Sequence, residues 1–139
     1  MAVFDQMKTL VGEWTGKMGE ETLNVSYRLT AHGTALVETL MPGTDEEMVT
    51  IYHLDGTDLV MTHFCASGSQ PTMKMVKVKD GAFVFEHTGG TNCDPAKGFM
   101  GGLELTMVDG KLKFDWTVLK DGKAAKHIQF ELARARETK

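Results

Sequence analysis

Residues 103–132 read LELTMVDGKLKFDWTVLKDGKAAKHIQFEL, and two Asp-Gly pairs, Asp109-Gly110 and Asp121-Gly122, cut this stretch into three segments rich in β-branched and aromatic residues. Asp and Gly tolerate the positive φ that tight hairpin turns require, so the stretch reads as two consecutive β-hairpins. Register follows from asking which loop pairs apolar with apolar side chains, because a one-residue slip turns every side chain to the other face. A two-residue loop at Asp109-Gly110 sets Met107 opposite Leu112, Leu105 opposite Phe114 and Leu103 opposite Trp116. For the final hairpin, a three-residue loop over 120–122, with Gly122 as its left-handed residue, sets Phe114 opposite the region of Ile128 and Leu112 opposite Phe130.

Outward from this stretch the punctuation repeats at Asp55-Gly56 and Asp80-Gly81. Leu23, Val25, Tyr27 and Leu29 alternate with polar residues, the period of a strand with one wet side. Further strands are expected near 13–17, 34–40, 48–54, 59–65, 73–78 and 82–87. Segments 48–54 and 59–65 are apolar on both faces, which predicts a cover on their outer side, such as a second copy in a homodimer. Residues 89–102 crowd turn formers and read as a long loop. Phe4, Met7, Leu10 and Val11 fall at helical spacing before the first strand. The expected fold is therefore all-β: a single up-and-down antiparallel barrel of about ten strands with a short N-terminal plug helix, closed so that no edge is left unpaired.

The chain has 139 residues, 42% apolar and 24% charged, with a formal charge of −4. That length suits one domain over 1–139. No apolar run approaches the roughly 20 residues of a spanning helix, and Lys and Arg are scattered among Asp and Glu, so neither a membrane nor a nucleic acid is an expected partner. The N-terminal stretch lacks the pattern of a secretory signal, so a cytoplasmic location is expected. Cys65 and Cys93 should then be free thiols.

Leu10-Val11-Gly12-Glu13-Trp14 places a Gly-x-Trp after a short helix and at the start of the first strand. This resembles the signature of the calycin superfamily of lipocalin-like barrels. The resemblance implies that Trp14 closes the barrel floor beneath an Arg of the last strand, here Arg134 or Arg136, in a cation–π contact. Residues 51–73, IYHLDGTDLVMTHFCASGSQPTM, are similar to a segment of bacterial single-domain lipocalin-like proteins. The helix-turn-helix lid and Arg-x-Tyr tail of fatty-acid-binding proteins are absent from the sequence. Nitrobindin-like haem barrels carry a ligating His on the last strand, which by resemblance would be His127. The alternation His127, Gln129, Glu131 against Ile128, Phe130, Leu132 instead puts His127 on the wetter face.

The stretch Thr62-His63-Phe64-Cys65, followed by Gln70-Pro71, is the densest candidate for chemistry. His63 and Cys65 share a face with Leu59 and Met61; an inward face would make His63, Cys65 and Gln70 the few polar groups of an apolar pocket. The plainer reading is that His63 bonds a neighbour across the sheet and Cys65 packs as a small hydrophobe. Tyr52, Phe114 and Trp116 are expected at the cavity wall. Ten Met are present, of which Met61, Met73, Met75, Met100 and Met107 either line an adaptable cavity or fill a core. His63-x-Cys65 lacks the spacing of a metal site, and no nucleophile elbow, phosphate loop or dinucleotide fingerprint appears. The expected function is binding of a small hydrophobic or amphipathic molecule, with no cofactor. The alternatives are a haem barrel using His127 and an enzyme using His63 and Cys65; binding is favoured over catalysis.

Overall fold

The computed structural model describes residues 2–135. A short helix, α1 (Val3–Lys8), precedes ten strands: β1 (Gly12–Met18), β2 (Glu21–Thr30), β3 (Ala35–Leu40), β4 (Met48–Asp55), β5 (Asp58–Phe64), β6 (Gln70–Lys79), β7 (Ala82–Thr91), β8 (Phe99–Val108), β9 (Lys111–Lys120) and β10 (Lys123–Arg134). Each strand pairs antiparallel with the next, and β1 pairs with β10 to close the barrel. Closure needs close approach at that seam. Gly16 stands opposite Leu132, and a Cβ there would collide with the Glu131 carbonyl oxygen.

Three Asp-Gly pairs form two-residue loops in which both residues have positive φ, with Asp80 at 51°, Asp109 at 52° and Asp121 at 52°. The fourth is displaced by one position: Asp55 pairs with Asp58, so Gly56 and Thr57 are the loop and only Gly56 takes positive φ. The β8–β9 register is the one read from the sequence, Met107 to Leu112, Leu105 to Phe114 and Leu103 to Trp116.

The β9–β10 register differs from expectation. Its loop is Asp121-Gly122, a bulge follows between Ala124 and Lys126, and Phe114 meets Phe130 while Leu112 meets Leu132. The shift is two residues, which leaves every side chain on the face already assigned, so alternation alone cannot detect it. Residues 89–102 are also not one long loop, because β7 runs through Gly89 and Gly90 to Thr91 and β8 starts at Phe99. These glycines mark crowded backbone instead. A Cβ on Gly90 would strike the Gln70 carbonyl oxygen, and Gly101 sits at a bulge. Helix α1 stops at Lys8, leaving Val11 exposed beyond it.

The strands alternate between an apolar interior and the outside. Leu23, Val25, Tyr27, Leu36, Tyr52, Met61, Phe85, Leu105, Leu112 and Leu132 fill the barrel. The outer face of β4 and β5 is apolar as read, with Val49, Ile51 and Val60 half-buried and Phe64 exposed. Among the described residues no helix is long and apolar enough to cross a membrane.

The two ends of the barrel are built differently. At the floor, Phe4 and Met7 of α1 and the following Leu10 are buried in the core. Trp14 donates its indole N–H to the Leu10 carbonyl at 2.8 Å, and the Arg134 guanidinium lies 4.6 Å over its ring. Arg134 also donates to the Val11 and Thr9 carbonyls. Gly12 makes room for this, since a Cβ there would lie 2.9 Å from Arg134 Nη1. Arg136 lies outside the described residues. The opposite end, the mouth, carries the longer connections 41–47, 65–69 and 92–98.

Candidate functional site

A row of polar side chains crosses the inside of four neighbouring strands. Tyr27 on β2 stands opposite Glu38 on β3, Glu38 opposite Thr50 on β4, and Thr50 opposite His63 on β5. All four are buried, Glu38 and Thr50 at 0% exposure. Tyr27 donates its phenol proton to Glu38 Oε2 at 2.6 Å, and Tyr52 donates to the same oxygen at 3.2 Å. Thr50 Oγ1 and His63 Nδ1 are 2.8 Å apart and share a hydrogen bond.

Burial dominates the electrostatics of this row. It raises the Glu38 pKa from 4.5 to about 7, against the opposing effect of hydrogen bonds from Tyr27, Thr50 and Tyr52. It lowers the His63 pKa from 6.5 to about 4, so the imidazole is neutral at physiological pH. The phenols of Tyr27 and Tyr52 are driven well up, first by burial and then by the neighbouring carboxylate. Removing charge from water favours whichever form is neutral. Among the described residues, Glu38 Oε1 and His63 Nε2 are the buried side-chain nitrogen and oxygen atoms without a hydrogen-bond partner. Such groups are rare in folded proteins because each carries a desolvation penalty.

His63 also lines a cavity of about 90 Å³ at the mouth, together with Trp116, Phe130 and the methionines Met18, Met41, Met48 and Met100. The imidazole lies against the Trp116 ring at 4.9 Å between centroids. The cavity surface is otherwise almost wholly apolar. Known small-molecule pockets span about 300–1,000 Å³, so this one takes only a few heavy atoms unless the rim moves. The four methionines are only partly buried and form that rim. Unbranched thioethers change rotamer readily, so the opening can widen without displacing backbone. A wider hollow of about 590 Å³ lies along the outside, among Lys79, Glu104, Lys113, Asp115 and Glu131. It is open to solvent, and Lys113 is already paired with Glu131 at 3.8 Å.

The residues singled out from sequence separate into layers. His63 and Trp116 reach the cavity. Phe114 is buried and stacks on Phe130 at 4.6 Å, two residues below Trp116 along β9. Tyr52 and Met61 sit deeper and are fully buried, with the Tyr52 ring edge-on to Phe85 at 5.9 Å. Cys65 lies past the end of β5, half-buried, its backbone N–H donating to the Ser69 carbonyl. Its thiol is not bonded to His63, whose Nδ1 is taken by Thr50 and whose Nε2 has no partner. Gln70 is committed to the rim: its Oε1 accepts from Thr91 Oγ1 at 2.6 Å and Asn92 Nδ2 at 2.8 Å, and its Nε2 donates to the Gly68 carbonyl. Of the methionines weighed earlier only Met100 lines the cavity. Met61 and Met73 are core, and Met75 and Met107 lie towards the floor.

Glu38 was not among the candidates from sequence. The signal was present in the alternation of 35–40, where Leu36, Glu38 and Leu40 share one parity and face inward. A carboxylate on that face opposite a tyrosine is a buried acid.

The residues do not fit a haem ligated through His127. That side chain is on the outside of the barrel, half-exposed, with Nδ1 2.8 Å from Asp115 Oδ1. The interior cavity is far too small for a porphyrin. Among the described residues no group of three or more His, Cys, Asp or Glu is arranged to hold a metal ion. Set against protein-family models and against curated proteins, the chain matches none.

Proposed function

We propose that this barrel binds a small, largely apolar molecule carrying one hydroxyl-like group, held in the mouth cavity with that group on His63 Nε2. The observation that carries the reading is an unpartnered imidazole nitrogen on a side chain lining an apolar cavity. A bound hydroxyl would satisfy it, and the Trp116 ring packed against that imidazole lines the same cavity. The methionine rim supports entry of varied apolar shapes. The sealed floor, with Arg134 over Trp14, supports a calycin-like barrel open at one end only. Free thiols at Cys65 and Cys93 support a reducing compartment such as the cytoplasm.

Cyclopentanol is a suitable probe, being compact and apolar apart from one hydroxyl. Titrated against isotope-labelled protein, it should produce saturable shifts at the Trp116 indole and the His63 imidazole, and His63→Leu should weaken binding about fivefold. Linear, unsaturated shifts up to the solubility limit, or equal affinity in the variant, would overturn the assignment.

A further inference from the structure

The buried row does more than fill the wall, and the inference rests on the binding reading above. We propose that Glu38, Thr50 and His63 form a proton relay through which the charge of Glu38 decides whether His63 Nε2 offers the cavity a lone pair or an N–H, and hence whether the cavity takes a ligand by its hydrogen-bond donor or by its acceptor.

The geometry leaves few arrangements. Directly opposed residues of an antiparallel pair hold their Cβ atoms about 5 Å apart, and Glu38–Thr50 and Thr50–His63 are both such pairs. Glu38 Oε2 already accepts from two phenols, and Oε1, which has no partner in this structure, is the oxygen that the Thr50 hydroxyl must reach for the relay to close. Thr50 stands beside the Glu38 carboxyl, whose pKa it lowers, and its hydroxyl bonds His63 Nδ1. A hydroxyl has one proton to give. When Glu38 is ionised, Thr50 donates to Oε1, accepts from His63 Nδ1–H, and Nε2 is bare. When Glu38 is protonated, its O–H donates to Thr50, Thr50 donates to a bare Nδ1, and the ring proton resides on Nε2.

The two states differ by one proton, and the transfer balances link by link. A proton arriving at Nε2 from the cavity releases the one on Nδ1 to Thr50, and Thr50 releases its own to Glu38 Oε1. No net charge stays on His63 or Thr50, which suits an imidazole whose burial disfavours its cationic form. Other ionisable groups facing the row do not interfere. Tyr27 from β2 and Tyr52 from β4 donate to Oε2 in either state. Across the barrel, Trp116 faces His63 and Phe85 faces Tyr52, and neither ionises. Among the described residues the buried ionisable side chains are Glu38, His63 and these two tyrosines. Because burial holds Glu38 near neutrality, both states lie within ordinary pH.

The test reads the ring before any ligand is added. Long-range nitrogen–proton NMR of ligand-free protein at about pH 5.5 and about pH 8.5, either side of the Glu38 transition, should show the pyrrole-like and pyridine-like nitrogens of His63 exchanging places. Glu38→Gln, whose amide donates where the protonated acid would, should hold the proton on Nε2 at both pH values. Thr50→Val should abolish the pH response while the barrel stays folded. Cyclopentanone, which only accepts, should gain roughly tenfold over cyclopentanol, which also donates, on going from the higher to the lower pH, and Glu38→Gln should erase that change. One His63 tautomer at both pH values in the parent protein, or a response that survives Thr50→Val, overturns the relay even if both probes bind. An exchange of tautomers with neither probe binding sustains the relay and overturns the binding reading instead.

Discussion

The floor and the mouth of this barrel close the same ten strands by opposite means. At the floor, α1 inserts Phe4 and Met7, Arg134 bridges two backbone carbonyls and covers Trp14, and two-residue turns join the strands at Gly56-Thr57, Asp80-Gly81 and Asp109-Gly110. At the mouth, half-buried methionines and longer loops surround a cavity, and a buried histidine has a nitrogen without a partner. One end satisfies its polar atoms internally, whereas the polar row that leads to the other leaves two, Glu38 Oε1 and His63 Nε2, without a partner among the described residues. Stability should therefore be concentrated at the floor and recognition at the mouth.

Truncation at each end puts that division at risk. Trp14→Ala removes a buried indole, its bond to Leu10 and the platform for Arg134, and should lower unfolding free energy by about 3–5 kcal/mol. Met48→Ala at the rim removes a side chain already partly in solvent and should lose only about 1 kcal/mol. Urea denaturation of the two variants gives the comparison directly. Equal losses would mean that the mouth is built as tightly as the floor.

The second effect is of the order of 3 kcal/mol and is hidden in the parent protein. Glu38 has a raised pKa in the folded state, about 7 against 4.5. Its contribution is present below about pH 4.5 and is lost as pH rises through about 7. His63 has a depressed pKa, about 4 against 6.5. The native state excludes a proton that the unfolded state binds, so stability is lost as pH falls from about 6.5 to about 4. Each displacement is worth about 3 kcal/mol across its window, and between pH 4.5 and 6.5 the two slopes oppose each other. The parent protein should accordingly be nearly flat there, as far as this pair determines it. Glu38→Gln should unmask a stability that climbs with pH, and His63→Leu one that declines. Denaturation midpoints across that range test both signs, and a flat profile in either variant removes the opposition.

The floor was legible in the sequence and most of the mouth was not, for physical reasons. Asp-Gly pairs with alternating neighbours specify turns and faces locally, so the barrel, the inward set and the β8–β9 register followed from residues close in sequence. The Gly12-x-Trp14 motif carried the floor seal with Arg134. The β9–β10 slip escaped because the shorter loop and the bulge each move the register by one residue, and a two-residue shift leaves the alternation over the apolar stretch unchanged. Glu38 is hard to read because carboxylates are rarely buried, although it shares its parity with Leu36 and Leu40. Met18, Met41 and Met48 lie at strand ends, where alternation stops and side-chain direction depends on how distant loops meet. His63 was legible as a candidate, but its neighbours Thr50 and Glu38 lie 13 and 25 positions away in sequence and were joined to it only by register.

The smallest effect separates stability from recognition within the mouth itself. Replacing Met48 and Met100 by Leu keeps apolar character and nearly keeps volume, so unfolding free energy should move by less than about 1.5 kcal/mol. What changes is compliance. Leucine branches at Cγ and has fewer rotatable bonds, so a rim made of it opens less readily around a ring. Cyclopentanol should then bind several-fold more weakly to the double variant, while the melting temperature barely moves. A fall in stability matching the loss of affinity would show that the methionines act as core filler rather than as an adjustable rim, and the functional contrast between the two ends would reduce to His63 alone.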